Sequence, residues 1–197
     1  MEARALLALV AVASSAANLA SADIALVGPY TVDMLELSAC DDGEYPGILV
    51  NISQTVDEET NEPTYTGAIT LHYDIFADDF EVKLTVYRWG STGGWYLDYS
   101  LQFDKPFEYL KSNFPTVFET VFEDIGLKEK PVSPGTYYFH RLMPRGVRLK
   151  RFDLLPYGKY KLYSKGLKDG KTVTCIMAIC TVNEAEYKKG IPWKSLL

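Results

Sequence analysis

The chain has 197 residues, 47% of them hydrophobic and 23% charged, with 3 cysteines, 2 histidines and a formal net charge of −6. That length suits one domain with its own core. The acidic balance without a recognised binding motif argues against nucleic acid as a partner, and two histidines without a Cys-x-x-Cys pair argue against a zinc centre.

At the start, Arg4 precedes an apolar run from Ala5 to Ala13, and small residues follow up to Ala20-Ser21-Ala22. A charged start, a short apolar stretch and a small-x-small site are the marks of a secretory signal. The run is too short to span a bilayer comfortably, and no later segment reaches spanning length. The pattern predicts a signal over 1–22, one domain over 23–197, and an extracellular or lysosomal protein that matures where disulfides form.

Next comes "CDDGEYPGILV" (40–50). Cys40 beside Asp41 and Asp42 admits a metal site, a thiol or a staple. The oxidising context disfavours a redox thiol. The oxygen-rich pair lacks the Asp-x-Asp-x-Asp-Gly spacing of a calcium loop, which leaves a solvated acidic turn. "NIS" (51–53) is a glycosylation acceptor at Asn51.

Most of the remaining chain reads as strands. In "TGAITLHYDIF", Ile69, Leu71, Tyr73 and Ile75 alternate with polar residues, and in "FEVKLTVYRW" Val82, Leu84 and Val86 do the same. "GSTGG" (90–94) turns the chain into "WYLDYSLQF", where Trp95, Leu97, Tyr99, Leu101 and Phe103 share one parity. From Phe107 to Ile125 the apolar period becomes helical, with a break expected at Pro115. Five phenylalanines lie between 103 and 122. They serve as core or as a cover over an internal cavity. "TYYFHRL" and "VRLKRFDLL" look like strands, and "YGKYKLYSKGL" pairs with "KTVTCIMAICTV" around an Asp-Gly turn at 169–170. About eight short strands and one short helical region predict a mainly β fold, a β-sandwich or cup.

Charge is uneven. Residues 23–130 hold 21 Asp/Glu against 6 Lys/Arg, and residues 131–197 hold 4 against 13. The basic cluster Arg141, Arg145, Arg148, Lys150 and Arg151 is either a solvated face offset by the acidic half or a contact for anionic headgroups or an acidic protein partner. Cys175 and Cys180 share one strand at an odd separation. That puts them on opposite faces with Cα atoms roughly 16 Å apart, beyond disulfide reach. Cys40 therefore pairs with one of them or with neither.

Three segments carry a family resemblance. "CDDGEYPGILV" resembles the start of ganglioside activator proteins, "SPGTYYF" (133–139) resembles their entry to the C-terminal strands, and "DLLPYGKYKLYSKGLKDGKTVTCIMAI" (153–179) resembles their final hairpin. The chain looks like a secreted, insect-type branch of the MD-2-related lipid-recognition (ML) group. The resemblance implies a Cys40–Cys175 disulfide and an immunoglobulin-like β-cup holding a lipid. Ganglioside activators carry further cysteines over the region equivalent to 100–135, and this chain has none there.

No Gly-x-Ser-x-Gly elbow or other catalytic constellation appears around His72 or His140. The reading is a non-enzymatic binder without a cofactor or metal, holding acyl chains between two sheets. Its candidate lining residues are Leu84, Val86, Trp95, Leu97, Phe107, Leu110, Phe114, Phe118 and Phe122. The alternative is an extracellular protein-interaction module with a filled core.

Overall fold

Alternation every second residue in Val82, Leu84 and Val86 dictates a strand with one apolar face, and that face decides the architecture. The structure is a computed structural model that describes residues 27–60, 63–142, 149 and 153–185. The predicted signal over 1–22, Arg145, Arg148, Lys150 and Arg151, and most of the predicted strand "VRLKRFDLL" lie outside the described residues.

The chain runs β1 (Val27–Gly28), β2 (Tyr30–Ala39), β3 (Ile48–Val56), β4 (Pro63–Leu71), β5 (Phe80–Trp89) and β6 (Trp95–Asp104). Next come helix α1 (Pro106–Asn113), a short turn of helix α2 (Pro115–Val117) and a π-helical turn over Phe118–Glu123. It finishes with β7 (Gly135–Leu142), β8 (Leu155–Pro156), β9 (Gly158–Lys168) and β10 (Lys171–Glu184). The fold is mainly β, a sandwich of antiparallel sheets. Five strands in the order β2-β10-β9-β5-β6 form one sheet, β3-β4-β7 form another, and β1 pairs with β8. Among the described residues, ten strands stand in place of the expected eight or so, and two of the ten are only two residues long.

Local chemistry explains the joints. Asp169 and Gly170 both have positive φ, as a two-residue turn with right-handed strand twist requires, so β9 and β10 form the expected hairpin. Pro106 opens α1 at a position where its missing N–H costs nothing. Pro115 cannot continue the ladder, and Phe114 leaves the helical region just before it. Gly166 is fixed by packing, because a Cβ there would lie 2.5 Å from the Phe80 ring. Beyond Leu71 the chain leaves β4, so Tyr73 and Ile75 do not extend the strand alternation read from the sequence.

The buried apolar residues form three clusters, two of them on the inner side of the larger sheet. The largest joins Ile48, Tyr65, Ile69, Leu71 and Phe139 of the three-stranded sheet to Phe76, Phe118, Ile125, Leu127 and Val132. The second, on the inner face of the larger sheet, gathers Tyr30, Val86, Tyr160, Cys180 and Val182.

Asn51 is exposed on β3, at the margin of the three-stranded sheet and opposite Ala68. A glycan there would project from an exposed side chain and would hinder pairing of that edge with another chain. Protein recovered from a eukaryotic secretory host is expected to lose mass on glycosidase treatment, and Asn51→Gln to abolish that change. An unchanged wild-type mass would refute modification at Asn51.

Candidate functional site

The two faces of the larger sheet present different chemistry, and strand register assigns each predicted site residue to one of them. On the inner face Val82 stands opposite Phe103, Leu84 opposite Leu101, and Val86 opposite Tyr99. The register then slips between Val86 and Tyr87, so that Tyr87 faces Leu97 and Trp89 faces Trp95. Asp98 is the extra residue of this bulge, which reverses the parity of β6. The single apolar stripe read from Trp95 to Phe103 is therefore two stripes. Tyr99, Leu101 and Phe103 point inward with Leu84 and Val86. Trp95 and Leu97 point outward, with Leu97 59% exposed. Alternation alone cannot reveal a bulge, so the sequence pattern placed Trp95 and Leu97 on the wrong side.

The helical candidates separate as well. Phe118 is 1% exposed and packs against Phe76, Phe107 and Phe122, with ring centroids 6.0, 5.3 and 5.9 Å away. Leu110 and Phe107 are partly buried against the same cluster. Phe114 lies off this group, its ring 5.9 Å from that of Tyr109, which itself stacks on Phe103 at 3.9 Å.

Central strands of a filled sandwich should have fully covered inner faces. Here Val86 is buried, yet Leu84 of β5 and Leu162 and Ser164 of β9 remain partly accessible, and Tyr99 is 44% exposed. Burial nevertheless pushes the Tyr99 phenol up, with the Asp98 carboxylate adding to the shift. Arg88 continues the inner ladder beyond Val86. Its guanidinium lies 5.2 Å from the Tyr96 ring centroid, and its Nε is buried without a hydrogen-bond partner. Arg88, Tyr99, Leu101 and Leu162 line this face without being among the lining residues expected from the sequence. The inward parity of Val82, Leu84 and Val86 extends directly to Arg88 and was the available signal.

The cysteines occupy the faces expected of them. Cys40 and Cys175 form a disulfide with Cα atoms 5.7 Å apart, on the outer face beside Met177 and Tyr163. Cys180 is free, buried on the inner face, and burial pushes its thiol up to about 12, so no thiolate is present at neutral pH. Among the described residues, the one grouping of metal-type ligands is Cys40, Asp42 and Cys175, but its two sulfurs are joined to each other.

The loop after Cys40 is tied to the outer face. Asp42 accepts from Lys165 and from the Tyr45 hydroxyl, and Tyr163 donates to Asp41 at 2.9 Å. Lys165, and then Tyr45, hold the Asp42 carboxyl below its ordinary value. Of the predicted basic cluster, Arg141 is paired with the buried Asp57 carboxylate, whose Oδ1 accepts the backbone N–H groups of Glu59 and Thr60. That pairing gives Arg141 a structural task in the 57–60 turn. His72 places Nδ1 2.6 Å from the Pro46 carbonyl oxygen, and His140 is exposed on β7. No helix among the described residues is long and apolar enough to cross a membrane.

No family model and no curated protein matches this chain.

Proposed function

We propose that the protein is a secreted, non-enzymatic binder of an acyl-chain ligand, held against the inner face of β5, β6 and β9. The observation that carries this reading is the incomplete burial of Leu84, Leu162 and Tyr99 on the inner side of the larger sheet. The five-stranded sheet is wider than the three-stranded one: β3 and β4 lie against β2 and β10, while β5 and β6 meet the short helix α1 from that side. An alkyl chain laid along Val82, Leu84 and Val86 would gain about 0.8 kcal/mol per CH₂ removed from water. Arg88, at the end of that ladder with an unpartnered Nε, suits an acid head such as a carboxylate. The ML-like sequence features support the same reading, as does the disulfide they imply. Phe107, Leu110, Phe118 and Phe122 then act as the packed end wall.

A volume test separates a hollow from a filled interior. Leu84→Trp adds a large ring to the recess. If the recess is open, the variant should unfold at the same or higher denaturant concentration and bind a fluorescent fatty acid at least about tenfold more weakly, since the ring occupies ligand space. If the core is filled, the insertion should cost about 1–3 kcal/mol. That cost, with no fatty-acid binding by the wild type over chain lengths of roughly 8 to 20 carbons, would overturn the proposal in favour of an interaction module.

A further inference from the structure

The outer face of the larger sheet holds a groove of about 510 Å³ that the acyl-binding reading leaves unused. Its walls are outward residues of four strands and the disulfide-tethered loop, among them Lys83, Trp95, Lys161, Tyr163, Lys165, Thr172 and Asp42. Strand β9 is central in its sheet and carries four lysines in eleven residues. Of these, Lys159, Lys161 and Lys165 share the outward parity, a row about 20 Å long at strand rise.

Two features of these lysines are unusual for a solvated face. First, the register sets Lys83 directly opposite Lys165. Like charges across adjacent strands destabilise a sheet. Asp42 neutralises Lys165, but among the described residues no carboxylate pairs with Lys83 or Lys161. Second, Lys161 is held in the groove by rings. Its Nζ lies 5.0 Å from the Trp95 centroid and 5.9 Å from that of Tyr163, while Lys159 lies 5.9 Å from Trp95. Cation–π contacts fix an ammonium without cancelling its charge. Trp89, edge-on to Trp95 at 5.1 Å, supports the clamp. The groove thus keeps two oriented cations, Lys83 and Lys161, without a carboxylate partner among the described residues, on a chain whose net charge is −6.

We propose that this groove binds an acidic saccharide, a chain bearing sulfate groups, along the Lys159–Lys161–Lys165 row with Lys83 at its side. A linear series of cations fits a linear series of anions. Thr85, Gln102 and Thr172 line the same groove and supply partners for sugar hydroxyls. Single-stranded nucleic acid fits less well, because bases need free aromatic faces and ammonium groups already lie over the rings of Trp95 and Tyr163. An extended peptide lying along the lysine row would find no backbone edge, since β9 is paired on both sides. The site is independent of the inner recess.

The test is calorimetric titration of the full secreted chain with a heparin hexasaccharide, its fully desulfated counterpart and sodium sulfate. The wild type should bind the sulfated hexasaccharide, with affinity falling steeply as salt rises. Lys161→Gln and Lys83→Gln should each weaken binding about tenfold and make the salt dependence shallower. Lys161→Arg should retain most of the affinity, and Leu84→Trp should change nothing. Trp95→Leu, which removes the clamp, should weaken binding about fivefold, with unchanged unfolding midpoints showing that each variant is folded. The proposal is overturned by no binding of the hexasaccharide, by equal binding of its desulfated form, or by full affinity in Lys161→Gln and Lys83→Gln, which would place the contact on another basic surface. Sodium sulfate competing as well as the hexasaccharide at equal sulfate concentration would also refute a saccharide site and leave a simple anion site.

Discussion

Phe118→Ala is expected to lower unfolding free energy by about 3–5 kcal/mol, the usual cost of deleting a fully enclosed phenyl ring. Phe118 is 1% exposed and touches three other phenylalanine rings within the largest cluster. Removing it leaves a void bounded by Phe76 on one side and the helical turns on the other. Those turns are short and irregular, with breaks at Phe114 and Pro115, so they gain little from helix propensity and depend on this packing. Phe114→Ala is the internal control. Phe114 is only partly buried, and its contact is with Tyr109 at the margin, so the expected loss is well below that of Phe118→Ala. Denaturant unfolding of both variants reads the difference. Equal losses would mean that 104–125 docks as one unit without a distinct anchor. A small loss at Phe118 would mean that the segment lifts away easily, as a cover over a ligand site would.

What could be read from the sequence followed from period and turn chemistry. The β5–β6 and β9–β10 hairpins were legible because alternating apolar residues flank glycine-containing turns, and a two-residue Asp-Gly link admits few geometries. The break at Pro115 was legible because proline removes a donor wherever it occurs. Trp95 and Leu97 were misplaced because a bulge at Asp98 changes parity without changing composition. The cation groove was invisible for a different reason. Lys83, Lys161 and Lys165 meet only once β5 and β9 pair, although they are far apart in the chain. In one dimension each lysine is an ordinary outward residue of an amphipathic strand. Their like-charge convergence is a property of register. Arg141 shows the reverse case, since it reads as part of an exposed basic cluster until folding brings Asp57 against it.

Replacing Cys40 and Cys175 together by serine should destabilise the fold by about 2–5 kcal/mol. The two residues are 135 apart in sequence. Closing a loop of that length removes unfolded-chain entropy worth about 5 kcal/mol in the chain-entropy model, which sets the upper end. The lower end applies if residual contacts in the unfolded chain already limit that freedom. A second effect is local. The disulfide joins the end of β2 to β10, and the loop it anchors supplies Asp41 and Asp42 to Tyr163 and Lys165. Freed of the tether, those exposed contacts must hold the loop alone, and ion pairs of that kind contribute little by themselves. Lys165 then loses its neutralising partner for part of the time, and it faces Lys83 across the strand pair. The double-serine variant should therefore bind a sulfated hexasaccharide no more weakly than the wild type at low salt, and with a steeper salt dependence, while being far less stable. Denaturant unfolding and salt-dependent titration on the same preparation measure both. A loss of saccharide binding in a variant that remains folded would show that the tethered loop is itself part of the binding surface. Undiminished stability would show that the outer packing of Met177, Tyr45 and Tyr163 around the bridge holds β2 to β10 without it.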